Sequence, residues 1–250
     1  MGIVVLTALG VGSATVIGAI LGLLFKNASQ KFSKIFLAFA GGIMLSASIF
    51  GLILPSLEYG GEFGLLITVA GIFVGAFCLN LIDKFTPHLH KLFGTDIEEH
   101  KSSNINKVML FVIAIAIHNL PEGIAAGVGF GSGNQAEGIF IALGIALQNI
   151  PEGIVIIAPM INSGVSKKRT FLIASITGLI EVVGTFLGYF AVKIMAVILP
   201  FALAFAGGTM LYVVSDEMIP ETHSDGNKRG VTFSLLLGFC LMLVLDVVLG

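Results

Sequence analysis

From Ile3 to Phe25 the chain runs without one charged side chain, and this run limits what the polypeptide can become. A helix needs about 20 mostly apolar residues to cross ~30 Å of hydrocarbon. Seven more runs reach that length, each bounded by polar or turn-forming residues: Ile35–Pro55, Phe63–Asp83, Val108–Phe130, Gly138–Met160, Phe171–Val192, Ile194–Ser215 and Val231–Leu249. Hydrophobic residues make up 56% of the chain and charged ones 11%, less than half of the ~25% usual in a soluble domain. Such a chain cannot clothe itself in a water-facing shell. The reading is an all-α membrane protein of eight transmembrane helices, one domain over residues 1–250, with the lipid bilayer as its surroundings.

The basic residues orient the helices. Lys26, Lys31 and Lys34 separate spans 1 and 2; Lys84, Lys91, Lys101 and Lys107 separate 3 and 4; Lys167, Lys168 and Arg169 follow span 5; Lys228 and Arg229 follow span 7. With eight spans all of these fall on one side, and only Lys193 on the other. The excess of Lys and Arg on cytoplasmic loops then places both termini outside. Gly2 to Phe25 lacks the basic start of a signal peptide and exceeds an h-region of ~7–15 residues, so it reads as the first span. A net charge of -2 offers no basic patch for nucleic acid. Cys78 and Cys240 lie in apolar runs and do not suggest a disulfide. Short loops and the missing targeting signal favour a plasma membrane, a bacterial inner membrane in particular. The longest connection, about residues 84–107, carries His88, His90, His100, Asp96, Glu98 and Glu99; it reads as a solvated cytoplasmic loop or a weak metal-capture segment.

Chemistry concentrates in spans 4 and 5. His118-Asn119-Leu120-Pro121-Glu122-Gly123 recurs thirty residues later as Gln148-Asn149-Ile150-Pro151-Glu152-Gly153. A charged residue at the centre of a membrane helix costs ~2.5–3.5 kcal/mol on insertion scales, so such groups persist where they face one another, water or an ion. Positions 118 and 122, like 148 and 152, are four apart and share one helical stripe. Pro121 and Pro151 each remove one backbone hydrogen bond, and Gly123 and Gly153 leave room for a close neighbour. Glu181 adds a third acid in span 6, with no basic residue in the runs around it. Three carboxylates in a low dielectric repel one another; either some are protonated or a cation lies between them, and the cation is the better account because His and amide groups stand by as further ligands. Imidazole nitrogen with carboxylate oxygen suits Zn²⁺, and also Fe²⁺, Mn²⁺ or Cd²⁺, whereas Ca²⁺ prefers oxygen alone.

These residues resemble the ZIP (Zrt/Irt-like) family of metal transporters over essentially the whole chain. The resemblance implies an inverted repeat of spans 1–3 and 6–8 around the pair 4–5, a 3+2+3 helical bundle with a two-metal centre. Carried over residue by residue, the first metal falls to His118, Glu122, Gln148 and Glu152, with Met44 of span 2 as an extra ligand. The second falls to Asn119, Asn149 and Glu181, with Glu122 and Glu152 bridging. Asp216, Glu217 and His223 would line the inner exit path, while Asp246 reads equally as an interfacial acid. Two positions depart from the family pattern: Gln148 replaces a frequent His, which weakens the preference for zinc, and Asn149 stands where an acid or His is common.

The expected function is a divalent metal importer by alternating access, with zinc as transported substrate, cadmium, iron and manganese compatible with the donors, and no organic cofactor. It is not expected to be an enzyme, and a homodimer is compatible with it. Two rivals remain: a proton- or sodium-coupled carrier using the same carboxylates as a relay, and an intramembrane metal-dependent hydrolase, which lacks its usual His-Glu-x-x-His here.

Overall fold

The computed structural model of the chain describes residues 1–24, 30–85, 119–162, 164–224 and 228–249. The described residues are helical and contain no strand. Eight helices follow in order: α1 (Gly2–Leu24), α2 (Gln30–Ser46), α3 (Gly64–Phe85), α4 (described over 119–131), α5 (Gln135–Asn162), α6 (Lys167–Ile194), α7 (Leu199–Val213) and α8 (Lys228–Leu249). Among the described residues seven of these, all but α4, are long and apolar enough to cross a membrane, α2 and α7 as parts of the longer helical stretches Lys31–Tyr59 and Ala196–His223. The remainder of the expected fourth span, and the loop histidines His88, His90 and His100, lie outside the described residues.

Three boundaries differ from the sequence reading. Ile194 closes α6 instead of opening span 7; the turn is taken by Met195 and a short 3₁₀ segment, Ala196–Ile198. Pro55 does not end the second span either. After Ser46 the helix widens into a π segment, Ala47–Ile53, and continues as Leu54–Tyr59. In α7 the same thing happens: a π segment, Val214–Met218, leads into Ile219–His223. Both continuations carry proline in their first turn, Pro55 and Pro220. Proline has no N–H to give and its ring crowds the carbonyl one turn back. A wider turn relieves that crowding, so the helix passes the proline instead of stopping. The Ser48 hydroxyl takes up the Met44 carbonyl at 2.7 Å just where α2 widens.

Large apolar side chains stand on both sides of the packing: Leu65, Phe73, Phe233 and Val247 are exposed, while Ile43, Leu52, Ile141 and Leu203 are buried among Gly, Ala and Thr positions. Lipid is as apolar as leucine, so helices gain by close backbone approach and not by hiding large side chains. α1 packs on α5 and α6, α3 on α7, and α2 on both α8 and α5. Glycines set most of these seams. A Cβ on Gly42 would lie 1.9 Å from the Leu235 carbonyl of α8, and one on Gly75 would lie 2.2 Å from the Phe205 carbonyl of α7. Gly12 of α1 and Gly178 of α6 face each other reciprocally, each with room for nothing beyond hydrogen.

The seams fall into two groups. Within α1, α4, α5 and α6, and within α2, α3, α7 and α8, most glycines meet backbone oxygens, although Gly129, Gly131, Gly138 and Gly207 meet side chains. Where α2 lies on α5, glycines meet side chains instead: Gly51 faces Ile141 and Phe140, and Gly144 faces Met242 and Ala47. Backbone seams are rigid; flexible side-chain contacts can shift.

The chain also repeats itself. Leu37 to Leu45 reads Leu-Ala-Phe-Ala-Gly-Gly-Ile-Met-Leu, and Leu203 to Leu211 reads Leu-Ala-Phe-Ala-Gly-Gly-Thr-Met-Leu. The contacts repeat with it: Gly42 against Leu235 matches Gly208 against Ile72, and Gly75 against Phe205 matches Gly238 against Phe39.

We expect Gly42→Ala to destabilise the purified protein by about 1–3 kcal/mol, the usual range for forcing atoms into a packed interior. Gly10→Ala, where an added Cβ meets nothing within 4 Å, should be neutral or slightly stabilising because alanine favours helix. Thermal unfolding in detergent micelles compares the two; equal melting temperatures would refute the glycine-seam account.

Candidate metal centre

The doubled motif comes to lie on the glycine seams of α1 and α6. Gly123 is pressed to the backbone of Glu181, its missing Cβ 2.3 Å from that carbonyl, and Gly153 is pressed to Thr15 at 2.5 Å. Leu120 O approaches Gly184, and Ile150 O approaches Gly18. The room foreseen beside the two prolines is therefore filled by the very helix turns that carry Glu181 and Thr15. Close approach of backbones brings the polar side chains of α1, α4, α5 and α6 together in the interior.

Asn119, Glu122, Gln148, Asn149 and Glu181 are all buried, none more than 3% exposed; Glu152 is half-buried. Glu181 is the best-satisfied of them. It accepts from the Asn119 amide, from Asn149 Nδ2 at 2.6 Å and from the Thr15 hydroxyl at 2.9 Å. Asn149 Nδ2 also reaches the Val11 carbonyl at 3.4 Å. No cation faces Glu181 among these partners; neutral donors hold the acid. Glu122 lies within electrostatic range of Glu152 and Glu181.

Among the described residues, other polar atoms here lack a hydrogen-bond partner: Glu122 Oε2, Asn149 Oδ1 and both amide atoms of Gln148. An unpaired buried polar atom costs ~1–3 kcal/mol, so four in one place require a reason. The amide ends of Asn119 and Asn149 that donate to Glu181 leave their oxygens to point elsewhere, and Asn149 Oδ1 is one of the unpaired set. A divalent ion coordinated by these oxygens satisfies all of them except the Gln148 Nε2. Among the described residues no three His, Cys, Asp or Glu side chains gather closely enough to hold a metal by themselves. The donor set is mixed, with amides standing where imidazole or carboxylate would be.

The remaining predicted residues of the described segments lie on α2, α7 and its continuation, and α8. Met44 is fully buried in the α2 core. Asp216 and Glu217 sit on the α7 π segment, Asp216 exposed and Glu217 half-buried. His223 packs back on its own helix through Ile219 O at 3.0 Å and reaches Thr232 of α8 at 3.3 Å. Asp246 is half-buried on α8. His118 lies outside the described residues. Thr15 was not foreseen at all, because a threonine in an apolar run is ordinary helix glue. The signal was present: the 166-residue offset between Thr15 and Glu181 also relates Gly12 to Gly178, Gly18 to Gly184 and Gly22 to Gly188.

The profile of the ZIP zinc transporter family matches residues 94–246. The chain belongs to that family. It is 39% identical to the zinc transporter GufA of Myxococcus xanthus over 256 residues, spanning the whole of both chains. It is 36% identical to the zinc transporter ZIPB of Bordetella bronchiseptica, covering 95% of this chain and 78% of that one. It is 34% identical to the zinc transporter ZupT of Chlorobaculum parvum, covering 93% and 92%. ZIP relatives are transporters and not enzymes, which removes the hydrolase from consideration, and the apolar helices make this member a multi-pass membrane protein.

The unpaired atoms distinguish side chains still open to a ligand from those already held by hydrogen bonds. Gln148→Leu removes two unsatisfied atoms and should leave the metal-free protein as stable as before or more so, while weakening Cd²⁺ binding at least tenfold. Glu181→Leu strands three donors and should lower stability by about 3 kcal/mol or more. Unfolding of the metal-free variants, with equilibrium dialysis against Cd²⁺, checks both; a strongly destabilised Gln148→Leu would contradict the assignment.

Proposed function

We propose that the chain carries divalent metal ions, zinc foremost, from the outer face of the membrane to the cytoplasm through the centre formed by α1, α4, α5 and α6. The observation that carries this reading is the set of unpaired oxygens on Glu122, Gln148 and Asn149 at the doubled Pro-Glu-Gly motif. The named relatives in this family are zinc transporters, which supports zinc as cargo. The donors also suit Cd²⁺, Fe²⁺ and Mn²⁺, and Gln148 in place of a second imidazole widens that range. One ion is held by His118, Glu122, Gln148 and Glu152, with Met44 approaching from α2. A second is held by Asn119, Asn149 and Glu181, with Glu122 and Glu152 bridging. Asp216, Glu217 and His223 conduct the ion to the inner face.

The reading includes eight spans with both termini outside, in a plasma membrane of bacterial type, and an inverted repeat of α1–α3 and α6–α8 around α4 and α5. The duplicated Leu-Ala-Phe-Ala-Gly-Gly stretch and the matching glycine contacts support the repeat. Transporters so built carry substrate at the repeat interface and expose it by moving one bundle against the other. Here α1, α4, α5 and α6 are locked by backbone seams into a carrier, and α2, α3, α7 and α8 form the wall, which would also supply a homodimer surface. The side-chain contacts between α2 and α5 form the sliding boundary.

Flux into proteoliposomes tests the proposal. Zinc and cadmium uptake should fall at least ten- to a hundredfold in Glu122→Gln and in Glu152→Gln, the loss that even groups behind metal ligands produce. Ca²⁺ should not be carried. Wild-type protein that moves protons or sodium but none of these metals would favour the relay reading instead. Cysteine labelling along α4 and α5 should report access from both faces under different conditions; access from the inner face alone would count against alternating access.

A further inference from the structure

The polar centre is built of paired positions. The doubled motif pairs Asn119 with Asn149, Glu122 with Glu152 and position 118 with 148. The repeat that relates α1 to α6 pairs Glu181 with Thr15, and their surroundings match: Gly123 touches the Glu181 carbonyl as Gly153 touches that of Thr15. Where the repeat could supply a second acid, the chain has a hydroxyl. That hydroxyl is 1% exposed and donates to Glu181 Oε1 at 2.9 Å. With the amides of Asn119 on Oε1 and Asn149 on Oε2, three of the roughly four lone-pair directions of the carboxylate are filled.

The geometry points to Thr15 as a specificity-determining positioning residue, one that leaves Glu181 a single free lone pair and so limits it to one-oxygen coordination. This rests on the metal-centre reading above and deepens it. Small ions such as Zn²⁺ take few, fixed ligands, whereas larger oxygen-seeking ions gain from a carboxylate that offers both oxygens. Thr15 touches the metal only through Glu181. Removing its hydroxyl returns a lone pair to Oε1, loosens the carboxylate, and shifts the centre away from zinc toward manganese and calcium.

The test is equilibrium binding of Zn²⁺, Mn²⁺ and Ca²⁺, each alone, to the full-length protein in micelles. Thr15→Val keeps the shape of the side chain and loses the donor; Thr15→Ala loses it with less volume; Thr15→Ser keeps it. The ratio of zinc to manganese affinity should fall about tenfold in the Val and Ala variants, within the range for groups behind metal ligands, and should be retained in Ser. In a Glu181→Ala background the same substitutions should change the ratio no further. An unchanged ratio in Val and Ala, or a Ser variant that behaves like Val, overturns the role of Thr15 while leaving the metal centre standing. A wild-type protein that binds none of the three ions overturns the centre itself, and this inference with it.

Discussion

Helices in hydrocarbon are not driven together by burying leucine, because the solvent is leucine-like already. What holds this bundle is the approach of one backbone to another at positions without a side chain. Gly12 on Gly178, Gly42 on Leu235 and Gly75 on Phe205 leave too little space for a methyl group. Many large apolar residues face the lipid, and small residues line the helix seams between buried Ile, Leu and Met side chains. Everything else in the structure, including where a charged group can sit, follows from that division.

The candidate metal centre is a product of the same seams. Carboxylates are expensive in a membrane interior, and a close-packed glycine interface is a place where their partners can be fixed without slack. Gly123 and Gly153 dock the motif helices against the turns bearing Glu181 and Thr15, so the hydrogen bonds to Glu181 are set by backbone geometry and not by flexible side chains. The consequence is division of labour among the polar groups. Thr15, Asn119 and Asn149 are each tied to Glu181, while among the described residues Glu122, Gln148 and the Asn149 oxygen retain unpaired atoms.

Much of this was legible in the chain. Apolar runs of membrane length fixed the class, because length and charge depletion are properties a helix cannot conceal. The doubled His/Gln-Asn-x-Pro-Glu-Gly named most of the buried polar set, since helical spacing alone puts its members on one face. Other features depended on contacts between distant segments. Pro55 looked like an end because proline usually is one; only the π segment before it shows how the helix continues. Ile194 was assigned to the wrong span, since an apolar turn leaves no mark on hydropathy. Thr15 carried no chemical signal of its own and became visible through its partner, 166 residues away.

The paired construction has an evolutionary side. A site assembled from two copies of one segment can change one copy while the other preserves the original chemistry. Gln148 opposite position 118, and Thr15 opposite Glu181, are both places where the paired positions differ. A substitution in one half can then alter the polar centre without dismantling the backbone seams that both halves share. Pairing thus offers more than symmetry: it gives separate handles on one polar centre while the architecture stays fixed.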